Sequence, residues 1–99
     1  MIKHVVLFKL KKTETIAEKQ QIMEQFKQAI EALTTEIDAI IDVKVTFNCN
    51  PQEEYDMFLD STFATMDDLN YYSTHPLHVA AGGIIKDYKE SRACIDFEI

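Results

Sequence analysis

Three histidines make up the chain's whole imidazole complement, and two of them fall in the short run Tyr72-Ser73-Thr74-His75-Pro76-Leu77-His78. Imidazole is the side chain whose ordinary titration spans neutral pH, so a neutral ring can take a proton and a charged one can return it. Pro76 suits a first helical position, where its missing N–H would have had no partner in any case. That places His75 at the cap and His78 in the first turn. There, unpaired backbone N–H groups and the positive end of the helix dipole oppose a further positive charge. A His78 kept neutral in this way is suited to general-base work. The competing reading is purely structural, with His75 filling a cap position and His78 packing at a helix start.

His4 shares one side of an apolar run with Ile2, Val6, Phe8 and Leu10. A polar ring there costs about 1 to 3 kcal/mol unless it is paired, so His4 must either have a buried partner or line a cavity. Tyr71 and Tyr72 present the same choice between a core ring with a wet hydroxyl and a working phenol. Tyr72 precedes His78 by six residues across the helix break, which allows the two side chains to converge.

Other chemistries fit less well. A metal site would need His4, His75, His78 and a carboxylate, but histidines three apart across a proline match no zinc pattern, so no metal is expected. Glu53, Glu54, Asp67 and Asp68 read as a loop and a helix start rather than a catalytic carboxylate pair. Gly82-Gly83 alone does not make a phosphate loop. Cys49 and Cys94 are too far apart for a Cys-x-x-Cys pair and are expected as reduced thiols, Cys94 as a small packed hydrophobe.

The elements that must position these residues follow from periodicity. Residues 2–10 are rich in β-branched and aromatic types and read as a strand with both faces largely apolar. Thr15 and Glu18 have capping-box spacing, and Ile22, Met23, Phe26, Ala29, Ile30, Leu33 and Ile37 then recur at three- and four-residue steps, marking a long amphipathic helix. Residues 40–48 alternate, with Ile41, Val43, Val45 and Phe47 on one side of a second strand, and Asn48-Cys49-Asn50-Pro51 ends it. A third strand runs from Tyr55 to Phe63. Thr65 with Asp67 and Asp68 starts a short helix, and another begins at Pro76, extending towards Tyr88 with a weak point at Gly82-Gly83. Ala93, Ile95, Phe97 and Ile99 alternate along a final strand.

The order β-α-β-β-α-β, with its second helix in two pieces, is the ferredoxin-like α+β plan, a four-stranded antiparallel sheet with both crossovers on one face. Ninety-nine residues, 46% of them hydrophobic, make one domain, taken as 1–99. A net charge of −7 repels phosphate backbones and anionic lipid, which argues against nucleic acid and membrane surfaces as partners. Lysines interrupt the apolar N-terminus and no cleavage site follows, so a cytoplasmic location is expected. Strands one and three carry more apolar residues than one solvated face explains. A domain this small buries only about two-thirds of its chain's surface, so a homodimer through sheet faces is expected.

These residues resemble a known family, the stress-responsive dimeric A/B barrel proteins. The likeness rests on the opening Ile2-Lys3-His4-Val5-Val6-Leu7-Phe8-Lys9-Leu10, on Tyr55 through Phe63, on Asp68-Leu69, on His75-Pro76-Leu77-His78-Val79 and on Ile95-Asp96-Phe97-Glu98. It implies a ferredoxin-like monomer whose sheet pairs with a second copy to close a dimeric α/β barrel with the helices outside. A plant member of the family folds a linear polyketide into an aromatic ring. That likeness implies His78 as the acid/base, Tyr72 as its phenol and His4 as the first-strand histidine; His75, in the same segment, is taken as a further binding contact. The expectation is a cofactor-independent, cyclase- or lyase-like enzyme using histidine acid/base chemistry on a carbonyl compound. The alternative is a non-catalytic dimer that binds a small apolar molecule or supports stress tolerance.

Overall fold

A computed structural model describes residues 1–99. The elements are β1 (Ile2–Leu10), α1 (Ile16–Glu36), β2 (Ile40–Phe47), β3 (Met57–Phe63), α2 (Met66–Thr74), α3 (Pro76–Gly82) and β4 (Lys89–Glu98). The strands form a single antiparallel sheet in the order β2-β3-β1-β4, the ferredoxin-like arrangement.

Local chemistry sets the helix starts. The Thr15 hydroxyl accepts from the Glu18 N–H at 3.1 Å, and the Thr65 hydroxyl accepts from the Asp68 N–H at 3.2 Å. Each satisfies one backbone donor that the first turn leaves unpaired. Met23, Phe26, Ile30 and Leu33 then form the buried stripe of α1, which lies on the sheet face carrying Ile2, Val6, Phe8, Leu10, Leu59 and Phe63. Phe8 and Phe26 meet edge to face, with centroids 5.5 Å apart. This covered face is also the one on which His4 lies.

The opposite face carries apolar residues and no helix. Val5 is directly opposite Ile95, Leu7 is opposite Ala93 and Lys3 is opposite Phe97. Paired residues of antiparallel strands point to the same side, so these side chains form one surface with Phe58. Ile95 is 62% exposed and Phe97 43%.

Four details differ from the sequence reading. Ile41 was expected on the inward side of β2, yet Ile40 is buried and Ile41 exposed. The register slips by one residue between Ile40 and Asp42, and this bulge turns Ile41 outward. The third strand begins at Met57 rather than Tyr55. The last helix stops at Gly82 instead of reaching Tyr88, because the N–H groups of Ile84, Ile85 and Lys86 bond to carbonyls three residues back, tightening the chain into turns. β4 consequently starts at Lys89, four residues before the expected alternation.

Candidate functional site

His4 is buried on the covered face of β1, and its partner comes from the neighbouring strand. It sits directly opposite Asp96 in the β1–β4 register, with its Nδ1 2.5 Å from Asp96 Oδ1. The carboxylate accepts, so Nδ1 carries the proton and Nε2 is left free. The free energy penalty for a lone ring among Ile2, Val6 and Phe8 is thereby offset.

Tyr72 comes from α2 and is wholly buried. Its ring is held between Phe63, with centroids 5.0 Å apart, and His78, at 4.3 Å. Its hydroxyl has no hydrogen-bond partner. Burial pushes the phenol up to about 12, so the group remains a protonated donor lacking an acceptor.

His78 comes from α3, beyond the break that His75 and Pro76 impose. Its Nδ1 lies 3.0 Å from the Ser73 carbonyl, which can only accept, so Nδ1 bears the proton and Nε2 is the basic nitrogen. Burial holds its titration below the ordinary value, assisted by the positive fields of His4, Arg92 and His75 and partly opposed by the Ser73 carbonyl. The direction matches the sequence argument, but burial is the leading cause rather than the helix terminus.

His4, Tyr72 and His78 together line a hollow of about 190 Å³ between the sheet and the helices. Phe8, Phe26, Ile30 and Leu59 give it an apolar floor, and Lys89 and Arg92 also line it. His75 does not. Its Nδ1 accepts from the Leu77 N–H at 3.1 Å and its ring packs edge-on against the exposed Tyr71, so its lone pair is committed to capping α3. His75, expected as a binding contact, thus stands outside this hollow as the cap of α3.

Cys94 also departs from expectation. It is exposed rather than packed, with its Sγ 3.6 Å from His4 Nδ1 and 3.8 Å from Asp96 Oδ1. His4, Cys94 and Asp96 are thus three potential metal donors within 4.8 Å of one another, a different set from the one weighed in the sequence. Two ligands of a tetrahedral zinc stand about 3.3 Å apart, whereas His4 and Asp96 stand at 2.5 Å, the spacing of a pair sharing a proton. Asp96, Lys89 and Arg92 escaped the sequence reading because only the β1–β4 register brings them to the site. The alternation of β4 did put Asp96 and Cys94 on one face.

A buried and a half-buried imidazole and an unpaired phenol thus share one hollow with an apolar floor, on a ferredoxin-like domain. The chain belongs to the stress responsive A/B barrel domain family, whose model matches residues 2–99. Over 96 residues, 97% of this chain and 94% of the other, it is 24% identical to olivetolic acid cyclase of Cannabis sativa. A dimeric protein of unknown function and ferredoxin-like fold from Bacteroides fragilis superposes with a TM-score of 0.95 at 48% identity, covering 99% of this chain and 95% of that one. Hydroxynitrile lyase from Passiflora edulis superposes with a TM-score of 0.74 at 14% identity, covering 99% and 92%, a likeness of fold alone.

Proposed function

We propose that this protein is a small acid/base enzyme acting on a carbonyl compound, and that it needs no cofactor for the step. His78 Nε2 removes a proton from the carbon next to the carbonyl, and the C–H electron pair becomes the enolate double bond. The Tyr72 hydroxyl donates to the oxygen on which negative charge grows, and the proton returns from His78 to close the cycle. In a ligand with a second carbonyl, the enolate carbon can instead attack it and form a ring bond, as suits a polyketide-like chain held bent. His4, oriented by Asp96, positions the ligand from the sheet side.

The observation that carries this reading is the Tyr72 hydroxyl. It is a fully buried donor without an acceptor, on a ring packed 4.3 Å from that of a histidine with a free basic nitrogen. Structural residues rarely leave such a group unpaired. The name of the Cannabis sativa relative, a cyclase, agrees with it.

The same reading makes the active unit a homodimer joined through the uncovered sheet faces. It is supported by the exposed surface of Leu7, Phe58, Ile95 and Phe97 and by the dimeric Bacteroides fragilis relative. It also places the chain in the cytoplasm, in keeping with two thiols that form no disulfide. No helix is long and apolar enough to cross a membrane.

The test is deuterium uptake next to the carbonyl of small ketones and diketones in heavy water, followed by NMR. Wild type should accelerate uptake, while His78→Ala and Tyr72→Phe should each lose most of the acceleration. Saturable binding with no uptake by wild type would instead establish the non-catalytic binding protein.

A further inference from the structure

The hollow's two cations have no carboxylate of their own. The chain's five ion pairs use Lys3, His4, Lys9, Lys19 and Lys27, and neither Lys89 nor Arg92 takes part in one. Lys11, Lys12, Lys44 and Lys86 form no ion pair either, so what sets Lys89 and Arg92 apart is that they line the hollow. Arg92 is directly opposite Phe8 in the register, so it points to the covered side of the sheet, and the Lys89 Nζ stands 5.9 Å from the centre of the Phe8 ring. Two neighbouring acids are already engaged, Glu90 with Lys9 at 2.9 Å and Asp96 with His4 at 2.5 Å, and Asp87 pairs with neither cation. The site is thus apolar inside, carries proton-handling groups on its wall, and has two uncompensated positive charges.

We infer that the ligand is a short carbonyl compound that also carries a carboxylate, with its chain in the apolar hollow and its anionic end held by Arg92 and Lys89. The inference rests on the acid/base reading for the carbonyl and on the two cations for the carboxylate. Arginine's planar fork matches a carboxylate in two parallel hydrogen bonds, and lysine adds a point charge. Volume sets the length. A dry cavity of about 150 Å³ accommodates benzene, so about 190 Å³ accommodates roughly eight non-hydrogen atoms, with the carboxylate left at the rim. A short oxo acid fits these limits.

Levulinate and its neutral isostere levulinamide separate the two parts of the claim. By calorimetry, wild type should bind the acid about tenfold more tightly than the amide, and that ratio should fall with added salt. In Arg92→Gln with Lys89→Gln the ratio should fall to about one while amide affinity is retained, and each single variant should lie between. Both side chains are exposed, so the variants should fold. Equal binding of acid and amide by wild type, binding of neither, or a preference that survives in the double variant overturns the inference. Deuterium uptake into levulinate, measured on the same samples, reports separately on the acid/base reading. A protein that prefers the acid yet exchanges no deuterium retains the carboxylate site and loses the catalytic role.

Discussion

His4 and Asp96 lie 92 residues apart in the chain yet stand directly opposite each other across the β1–β4 ladder, with Nδ1 and Oδ1 2.5 Å apart. The pair ties the final strand to the first through side chains as well as backbone. It also fixes which nitrogen of His4 remains free.

That relationship predicts different outcomes for two substitutions. Asp96→Ala leaves a buried N–H of His4 unpaired and should lower stability by about 1 to 2 kcal/mol, read from urea midpoints. Deuterium uptake should fall with it, because misplacing a positioning group can cost up to about a hundredfold. Asp96→Asn keeps an acceptor at the same place and should restore most of both. If the asparagine variant is as slow as the alanine one, charge rather than orientation is what Asp96 supplies.

At Tyr72, stability and activity should move apart. Its hydroxyl has no partner to lose, so Tyr72→Phe should be neutral or stabilise the fold by up to about 1 kcal/mol. The same change should slow uptake by about a hundredfold or more, the usual worth of a donor aimed at a developing oxyanion. Thermal melting and NMR exchange rates on one preparation decide it. A variant that is both destabilised and fully active would assign the phenol to packing.

The pH profile follows from His78, whose titration burial holds below its ordinary 6.5. A base works when neutral, so uptake should be flat through neutral pH and decline only as acid carries it through that depressed value. Stability has the same sign. The folded ring binds protons more weakly than the unfolded one, so stability falls as pH drops below about 6.5 and the loss is complete beneath the folded value. His78→Asn should remove this part of the acid slope in urea titrations repeated across pH. An unaltered slope would show that the ring titrates alike in both states.

The uncovered sheet face predicts assembly. Ile95→Asp puts a charge on the edge strand of that surface and should convert a dimer to monomer in sedimentation equilibrium, while Ile16→Asp, on the exposed start of α1, serves as a control for surface charge. Burying a large apolar side chain contributes about 1.5 to 3 kcal/mol, so one such loss is enough to shift the equilibrium markedly. An Ile95→Asp protein that remains dimeric would locate the contact elsewhere.

Much of the architecture was legible in the sequence because it was written in periodicity and caps. The α1 stripe, the Thr15 and Thr65 caps and the inward side of β1 all follow from spacing. The bulge at Ile41 was not legible, because a strand read as strict alternation contains no signal for one extra residue. Helix propensity after Gly82 was overruled by turns that bring β4 back early. Among the site residues, His4, Tyr72 and His78 stood out because their types are rare or chemically distinctive in their settings. Asp96, Arg92 and Lys89 looked like ordinary surface charges, and only the pairing of two strands distant in sequence gives them a shared destination. The cap role of His75 was legible too, since a residue just before a proline at a helix start meets the backbone N–H two residues on.

Val5 and Ile95 point away from the helices while His4 and Asp96 point towards them, so one layer of strands divides the two. Two copies joined back to back would therefore own two chambers that open in opposite directions and share no wall. Turnover should scale with the number of intact protomers, saturate hyperbolically, and survive at half strength in a mixed pair with one disabled member.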